Sequence, residues 1–339
     1  SPVTIEEAKV KQSTKEEVVN QILSDLDFAI ANLPDKTYSS GHAVKGSAMT
    51  LKAKVLLHNQ RWQESAEIAD QIIRDGKFSL YNDFRNLFLS SGQKNNPEII
   101  FSTRYLNPDI YSELDIRWSW HAVVEPRQEL VDAYECADGK PIDISPLYDP
   151  SNWRLNRDPR LLMTIKAFED SVYNSAGQKV GFNYNAVSAT GYSPVKYCNW
   201  DALPINYSTQ SDQDWILLRY ADVLLMYAEA RNEVSGPDAS VYDAINKVRD
   251  RVNMPQLPTG LSKDEMRKRI RNERRVEFAL EGIRWGDIKR WKTAETYIPT
   301  LVDPGGKRRQ FDPAIHYLLP FPQREMDVNK NLIQNPGYN

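Results

Sequence analysis

Apolar residues recur at three- and four-residue steps through the first part of the chain, which is the spacing of one face of an α-helix. This spacing predicts one helix over 15–33 and two more over 47–59 and about 62–75. The last two are separated by only a few residues, and Gly76 is placed to cap the second. Helices joined by so short a turn lie antiparallel, so 15–76 is predicted to be a first helical hairpin region of tetratricopeptide type.

The same rhythm returns over 214–291. Its first segment, 214–234, is apolar nearly all round, which predicts a buried central helix. An apolar stripe over 241–252 predicts a partner helix, and the pair has about the 34-residue period of tetratricopeptide units. Ser262 followed by Glu265 is a capping-box pattern, which predicts that a further helix begins there.

Two other regions lack this rhythm. Prolines interrupt 77–213 repeatedly, and only a short strand at 98–101 and two short helices are expected within it. Long irregular connections of this kind are usually functional, so this region is predicted to bind ligand. The end of the chain, 292–339, is predicted to wrap across the body as a tail. The pattern therefore predicts a single mainly α domain over 1–339, built from tetratricopeptide-like hairpins with long irregular loops and a few short strands.

A charged stretch, RNERRVEFALEGIRWGDIKRW, lies at 271–291, and Gly282 is expected to end the helix within it. Glu273 and Glu277 fall on the apolar stripe of that helix. Carboxylates in a packed interface are costly unless they are paired, and the planar fork of arginine suits that role. We predict an internal ion-pair network that fixes how the last helices dock. The arginines available for it are Arg274, Arg275, Arg284 and, on the central helix, Arg219.

Two functional interpretations of the same stretch are weaker. Glu273 and Glu277 are one helical turn apart, as a pair of catalytic carboxylates could be, but the neighbouring arginines favour the ionised form of both. A general acid needs a raised pKa, which this setting opposes. A nucleic-acid clamp is disfavoured because the acids nearly cancel the arginines and the whole chain carries a formal net charge of -3.

Metal and cofactor chemistry has little support in the sequence. The two cysteines, Cys136 and Cys198, have no metal-ligand spacing, and no phosphate loop or GxSxG motif is present. The four histidines are scattered, at His42, His58, His121 and His316. No cofactor and no metal site is predicted. No run of apolar residues reaches the length of a membrane-spanning helix.

Several stretches together resemble the SusD/RagB family of outer-membrane nutrient-binding lipoproteins. The charged stretch at 271–291 is similar to the C-terminal hallmark of that family, and LLRYADVLLMYAEA at 217–230 to its central helix. PRQELVDAYECADGKPI at 126–142, NRDPRLLMTI at 156–165 and YLLPFPQREMDVNKNLIQNPGY at 317–338 resemble its middle and end. The resemblance covers nearly the whole chain.

The resemblance implies a fold and a function. The fold is a superhelix of tetratricopeptide-like hairpins whose loops bind glycans or other nutrients at the cell surface without catalysis. The partner implied is a SusC-like TonB-dependent outer-membrane transporter, and a lipid anchor is implied upstream of this chain. A peptide or another nutrient stays open as the ligand. A glycoside hydrolase using the loop carboxylates Asp109, Glu113 and Asp115, or a pure assembly scaffold, are further alternatives.

Aromatic rings in polar loops are the best candidates for glycan contacts, because sugars have apolar CH faces and polar rims. The first candidate loop, 104–126, offers Tyr105, Tyr111, Arg117, Trp118 and Trp120. Alternation makes it expected that only one of its two tryptophans points outward, the other filling the core beneath. The second candidate stretch, 191–207, offers Tyr192, Asn199 and Trp200.

Overall fold

The computed structural model describes most of the chain. The residues that it describes are 4–121, 123–167, 170–173, 176–180, 188–199 and 208–338, without the side chains of Ile5, Ser119, Trp120, Val172, Tyr173 and Val180. Trp200 lies outside these residues, and of Trp120 only the backbone is described. Within these ranges helices predominate and the strands are short, so the predicted fold class is confirmed.

The helices and strands follow one another in the order that the apolar pattern requires. The α-helices are α1 Ile5–Ala8, α2 Lys15–Asn32, α3 Lys45–His58, α4 Trp62–Asp75, α5 Ser90–Gln93, α6 Gln128–Ala133, α7 Arg160–Thr164, α8 Tyr220–Ser235, α9 Ala239–Asp250, α10 Lys263–Glu277, α11 Arg284–Arg290, α12 Ala294–Tyr297 and α13 Gln323–Val328. The strands are β1 Ile99–Thr103, β2 Ile165–Ala167, β3 Val172–Tyr173, β4 Lys179–Val180, β5 Tyr192–Pro194 and β6 Trp215–Arg219. Three antiparallel pairs form, β1 with β6, β2 with β5 and β3 with β4.

The chain divides into two compact units. The larger spans Leu26–Arg284, and the smaller combines Ser1–Asp25 with Trp285–Asn339. The four regions expected within one domain stay a prediction.

The first hairpin of the larger unit consists of α3 and α4. Small residues let the two helices approach closely: Ala53 and Ala69 are fully buried, and the Ser65 hydroxyl donates to the Ala53 carbonyl at 2.9 Å. Gly76 caps α4 with a φ of 63°, in the left-handed region that favours glycine. The sequence placed this hairpin and its cap correctly.

The second hairpin consists of α8 and α9, and α8 is the centre of the unit. Both α4 and α10 pack against α8, and residues on all its sides are buried, including Val223, Leu225 and Ala228. Asp238 begins α9 by accepting hydrogen bonds from two backbone N–H groups. Ser262 and Glu265 form the predicted capping box of α10.

The central helix begins later than the sequence predicts. Residues Trp215–Arg219 form β6 instead of helix, paired antiparallel with β1 from Ile99 opposite Arg219 to Thr103 opposite Trp215. The backbone groups of β1 need this partner, and a contact across more than a hundred residues overrides the local helical pattern.

The charged helix α10 ends at Glu277, five residues before the predicted end at Gly282. The chain turns through 278–282, with Leu280 at a φ of 66°. This turn brings the Glu281 carboxylate back to the guanidinium of Arg219, at 2.8 Å from Nε. A long-range ion pair thus accompanies the early end of the helix.

In the smaller unit, segments from the two ends of the chain bind each other through side-chain amides. Gln12 donates to the Ile333 carbonyl at 2.6 Å and accepts from its N–H at 3.0 Å. Asn329 donates to the Val10 carbonyl at 2.9 Å, and Ile288, Ala294 and Tyr317 form a small core. The predicted wrapping of 292–339 across the body stays a prediction.

Candidate functional site

The first candidate loop leaves β1 and is fixed at its start by Asp214. Arg104 Nε lies 2.7 Å from Asp214 Oδ2, and the Tyr105 N–H donates to Oδ1 at 3.1 Å. Burial raises the pKa of Asp214, while these donors oppose the rise. Tyr105 is half-buried at this anchor.

The tip of the loop presents apolar and aromatic side chains to solvent. Leu106 and Ile110 pair through two backbone hydrogen bonds around a cis Asn107–Pro108 bond, and both side chains are exposed. Tyr111, which follows directly, is 47% exposed. An exposed phenol ring beside two exposed aliphatic side chains is a surface on which an apolar sugar face can lie.

The loop then enters a π-helical turn at Ile116–Trp120. Arg117 points to solvent and pairs with Glu113, with Nε and Nη2 at 2.8 and 2.6 Å from Oε2. Trp118 is only 9% exposed, and its ring stands edge-on to Tyr197 and Trp215 in the core. The prediction that Trp118 contacts ligand is therefore corrected: its ring fills the core beneath the loop, which was the structural alternative.

Asp115 joins the chain segments that carry the candidate residues. Its carboxylate, in a residue only 1% exposed, accepts from the Asn199 N–H at 2.6 Å, the Ser211 hydroxyl at 2.7 Å and Gln213 Nε2 at 2.9 Å. Burial raises the pKa of Asp115, and these donors oppose the rise. Asn199 thus meets the site through its backbone. We call this arrangement the Asp115 latch.

A second group of rings adjoins the same turn, because β5 packs against Ile116–Trp120. Tyr192 is half-buried, donates its hydroxyl to Gln128 Oε1 at 2.6 Å, and stands edge-on to Trp153 with ring centroids 5.4 Å apart. The Arg154 guanidinium lies over Trp153, 4.6 Å from the ring centroid. We call Tyr111, Arg117, Tyr192, Trp153 and Arg154 the aromatic face.

Two aromatic residues near this face were missed from the sequence. Trp153 sits in a polar stretch rich in Asn and Pro, the same signal that pointed to the other loops, so that signal could have found it. Trp215 was assigned to the central helix, but it lies half-buried on β6 and stacks on Tyr197 with centroids 4.7 Å apart.

Cavities elsewhere in the larger unit offer no comparable rings. One of about 470 Å³ is lined by α8, α9 and Ser79–Asn82, and one of about 410 Å³ by α6, α10 and Pro141. The first includes Tyr220, but that residue is buried. Neither cavity therefore has an exposed ring on which a sugar could lie.

The charged stretch at 271–291 contributes to a buried network. Glu277 accepts from Arg219 Nη1 at 2.6 Å, from Arg251 Nη2 at 2.5 Å and from Arg160 Nη1 at 2.8 Å. Glu273 accepts from Arg160 at 2.5 Å and from Arg249 at 2.9 Å. Ion pairs then extend from these two acids to further groups, namely Asp158, Glu98, Glu135, Glu281, Arg269 and Lys196.

Of the arginines suggested by the sequence, Arg219 lies in this network. Arg274 pairs with Asp222 at 2.8 Å, and Arg275 donates to the Glu129 carbonyl at 2.5 Å. Arg284 begins α11. The sequence missed the other arginines of the network because they come from elements that no local pattern connects to α10; they are Arg160, Arg249 and Arg251.

The network controls the ionisation of its members. Burial disfavours the charged form of Glu277, yet the arginines around it outweigh burial and hold its pKa well below the usual range. Burial lowers the pKa of Lys196 to about 8, against the attraction of Glu281. Lys196 also lies over the Phe88 ring, 4.4 Å from its centroid.

Lys196 predicts a pH dependence of folding. Because its folded pKa of about 8 lies below the ordinary 10.5, the unfolded chain binds more protons between these values, and stability rises with pH there. Chemical denaturation across this window should show a rise of at most about 1.4 kcal/mol per pH unit that Lys196→Met lacks. Lys268→Met, at an exposed lysine of α10, should keep the wild-type rise. A Lys196→Met protein with the wild-type pH slope would contradict this account.

Metal clusters and membrane spans were also sought. In the described ranges, three or more His, Cys, Asp or Glu side chains nowhere gather as a metal site would require. None of the helices there has the length and apolar character needed to cross a bilayer.

The comparison that decides the family is a match over most of the chain. The SusD family model matches residues 97–338. The chain belongs to the SusD family. The resemblance identified from the sequence is thereby confirmed.

Relatives of this SusD-family protein are longer than the chain. It is 29% identical to SusD-like protein P2 of Formosa agariphila, over 97% of this chain and 66% of that protein. A 151-residue segment is 32% identical to the starch-binding protein SusD of Bacteroides thetaiotaomicron, covering 44% of this chain and 26% of that protein. The chain spans about two thirds of the length of the first two curated relatives it matches.

The solved structures agree with the fold. A SusD-like carbohydrate-binding protein of Bacteroides fragilis superposes with a TM-score of 0.84 at 28% identity, over 98% of this SusD-family chain and 74% of that one. The helical hairpins with loops between them are therefore the SusD fold.

Proposed function

We propose that this SusD-family protein is a non-catalytic cell-surface protein that captures glycans, as oligosaccharide or polysaccharide, and passes them to a SusC-like TonB-dependent outer-membrane transporter. Attachment to the outer membrane through a lipid anchor upstream of this chain is part of the proposal. The observation that carries it is the aromatic face, where Tyr111, Tyr192 and Trp153 lie on irregular loops outside the helical scaffold. The names of the starch-binding and carbohydrate-binding relatives support it.

The carboxylates of the same loop support binding over hydrolysis. Asp115 is buried and its oxygens are engaged by three donors, so it is poorly placed to meet a glycosidic bond. Glu113 is paired with Arg117, which favours its ionised form. Prolonged incubation with oligosaccharides is expected to release no product. Sugar release that is abolished by Asp109→Asn or Glu113→Gln would favour a hydrolase instead.

Tyr111→Ala tests the binding role. Isothermal titration against a panel of neutral and acidic oligosaccharides, with peptides as the competing ligand class, is expected to find glycan binding that weakens about tenfold in the variant. The reason is the loss of the exposed ring against the sugar face. Phe28→Ala is the matched control, because Phe28 is 72% exposed on α2, outside the loops.

The outcomes of this titration separate the alternatives. Phe28→Ala should bind like the wild type. Glycan binding that survives Tyr111→Ala unchanged would remove Tyr111 from the site, and binding of peptides alone would replace glycans as the ligand class. Delivery to the transporter is tested by co-purification with a SusC-like protein from the outer membrane.

A further inference from the structure

The loop-rich region carries more acid than base. Residues 77–213 hold thirteen Lys and Arg against seventeen Asp and Glu. The segments of this region that the structure leaves undescribed add no base and two of these acids, Glu169 and Asp201. The region in which the candidate ligand residues lie is therefore negative overall, which repels polyanions at long range.

The accessible cations of this region are also occupied. In the described part of 104–199, exposed or half-buried cations have an acid oxygen within 4 Å, with Lys179 on β4 as the exception. The pairs are Arg104 with Asp214, Arg117 with Glu113, Arg127 with Glu129, Lys140 with Asp138, and Arg154 with Asp170. A binding site for acidic sugars would need guanidinium groups free to form two-point contacts with carboxylates.

The two arginines of the aromatic face show this most directly. Arg117 and Glu113 have side chains 60% and 55% exposed, yet Nε and Nη2 of the arginine both approach the same carboxylate oxygen. Arg154 Nη2 lies 2.5 Å from Asp170 Oδ1, and the other oxygen of Asp170 accepts from the Ala167 N–H at 2.9 Å. The acid partner of Arg154 is thus held in place by the backbone.

We propose that the aromatic face selects uncharged oligosaccharides over acidic ones, and that Glu113 and Asp170 set this preference by occupying the guanidinium groups of Arg117 and Arg154. This rests on the proposed glycan-binding function. An acidic sugar must displace a carboxylate that belongs to the same chain and is always present beside its arginine. A neutral sugar needs only the rings and hydrogen bonds to the rims of the paired groups, so the ion pairs cost it nothing.

The experiment compares sugars that differ only in charge. Titration calorimetry would use galacto-oligosaccharide against oligogalacturonate, and β-1,4-manno-oligosaccharide against β-1,4-oligomannuronate, at low and at physiological ionic strength. The wild type is expected to bind the neutral member of a pair at least about tenfold more tightly. Its affinity for the neutral sugar should not change with salt.

Variants identify the residues responsible. Glu113→Gln and Asp170→Asn should each raise affinity for the acidic sugar by about three- to tenfold and make it salt-dependent, because each frees a guanidinium. Neutral affinity should stay within about twofold, since no ring is lost. Asp109→Asn is the matched control: it removes an exposed acid of the same loop for which the described part of the chain shows no ion pair.

Each result decides the proposal. Acidic sugars that bind the wild type more tightly than their neutral counterparts would overturn it while leaving glycan binding intact. An equal gain from Asp109→Asn, or no gain from Glu113→Gln and Asp170→Asn, would overturn the role of the two pairs. If no glycan of either class binds, the proposed function itself fails, and the selectivity with it.

Discussion

Replacing Glu277 by glutamine is expected to lower the free energy of unfolding by about 3–5 kcal/mol. Glu277 is fully buried and its two oxygens accept from Arg160, Arg219 and Arg251. The glutamine side chain is of similar size but neutral, so those guanidinium groups lose the charge that compensates their burial. Chemical denaturation at neutral pH, with the loss of helical circular dichroism as the signal, measures the effect.

The size of this effect follows from the balance of charge in the network. Six acids face six bases there, the acids being Glu98, Glu135, Asp158, Glu273, Glu277 and Glu281 and the bases Arg160, Lys196, Arg219, Arg249, Arg251 and Arg269. Removing one charge from a balanced buried set leaves another uncompensated. Removing whole pairs in favour of apolar residues would cost far less.

Two further results bear on the Glu277 prediction. Glu67→Gln, the same change at an exposed position of α4, should cost less than about 0.5 kcal/mol. Because the folded pKa of Glu277 is depressed, its contribution is present at neutral pH and is lost as the pH falls through that folded pKa. The difference between wild type and variant should therefore shrink in acid. A cost below about 1 kcal/mol at neutral pH would show that the network does not hold the helices together.

The sequence predicts half of this network well and the other half not at all. Glu273 and Glu277 fall on the apolar stripe of α10, and periodicity alone shows that they are buried and need partners. Arg160 is more than a hundred residues away in the chain, on a short helix, and Arg249 ends α9. Which cations meet the acids depends on tertiary packing, about which a local pattern carries no information.

The aromatic loops show the same division. Their composition identified Tyr111 and Tyr192 as candidates, but it could not decide between Trp118 and Trp120, because the π-helical turn sets which ring faces the core. β6 was read as helix because its pairing with β1 is non-local. Local rhythm thus predicts the scaffold, whereas the face that meets ligand depends on long-range contacts such as the Asp115 latch.

Asp115→Asn is expected to weaken glycan binding at the aromatic face by at least about tenfold while costing about 1–3 kcal/mol of stability. The carboxylate accepts three hydrogen bonds, from the Asn199 N–H, the Ser211 hydroxyl and Gln213 Nε2. An amide keeps the shape but can present only one oxygen, and its NH₂ group meets a donor of Asn199 or Gln213. The loop that carries Tyr111 and Arg117, on either side of Asp115, is then released from two other segments.

Binding and stability must be measured separately to show that the latch positions the face. Titration calorimetry is run well below the melting temperature, where the variant is fully folded by circular dichroism, so a loss of affinity there is not a loss of folded protein. Asp212→Asn is the matched control, because it removes an acid between Ser211 and Gln213 for which the described residues show no hydrogen bond to the latch. We expect Asp212→Asn to bind glycan like the wild type. If Asp115→Asn also did so while folded, the position of Tyr111 and Arg117 would not depend on the latch, since fixed rings are what a sugar face requires.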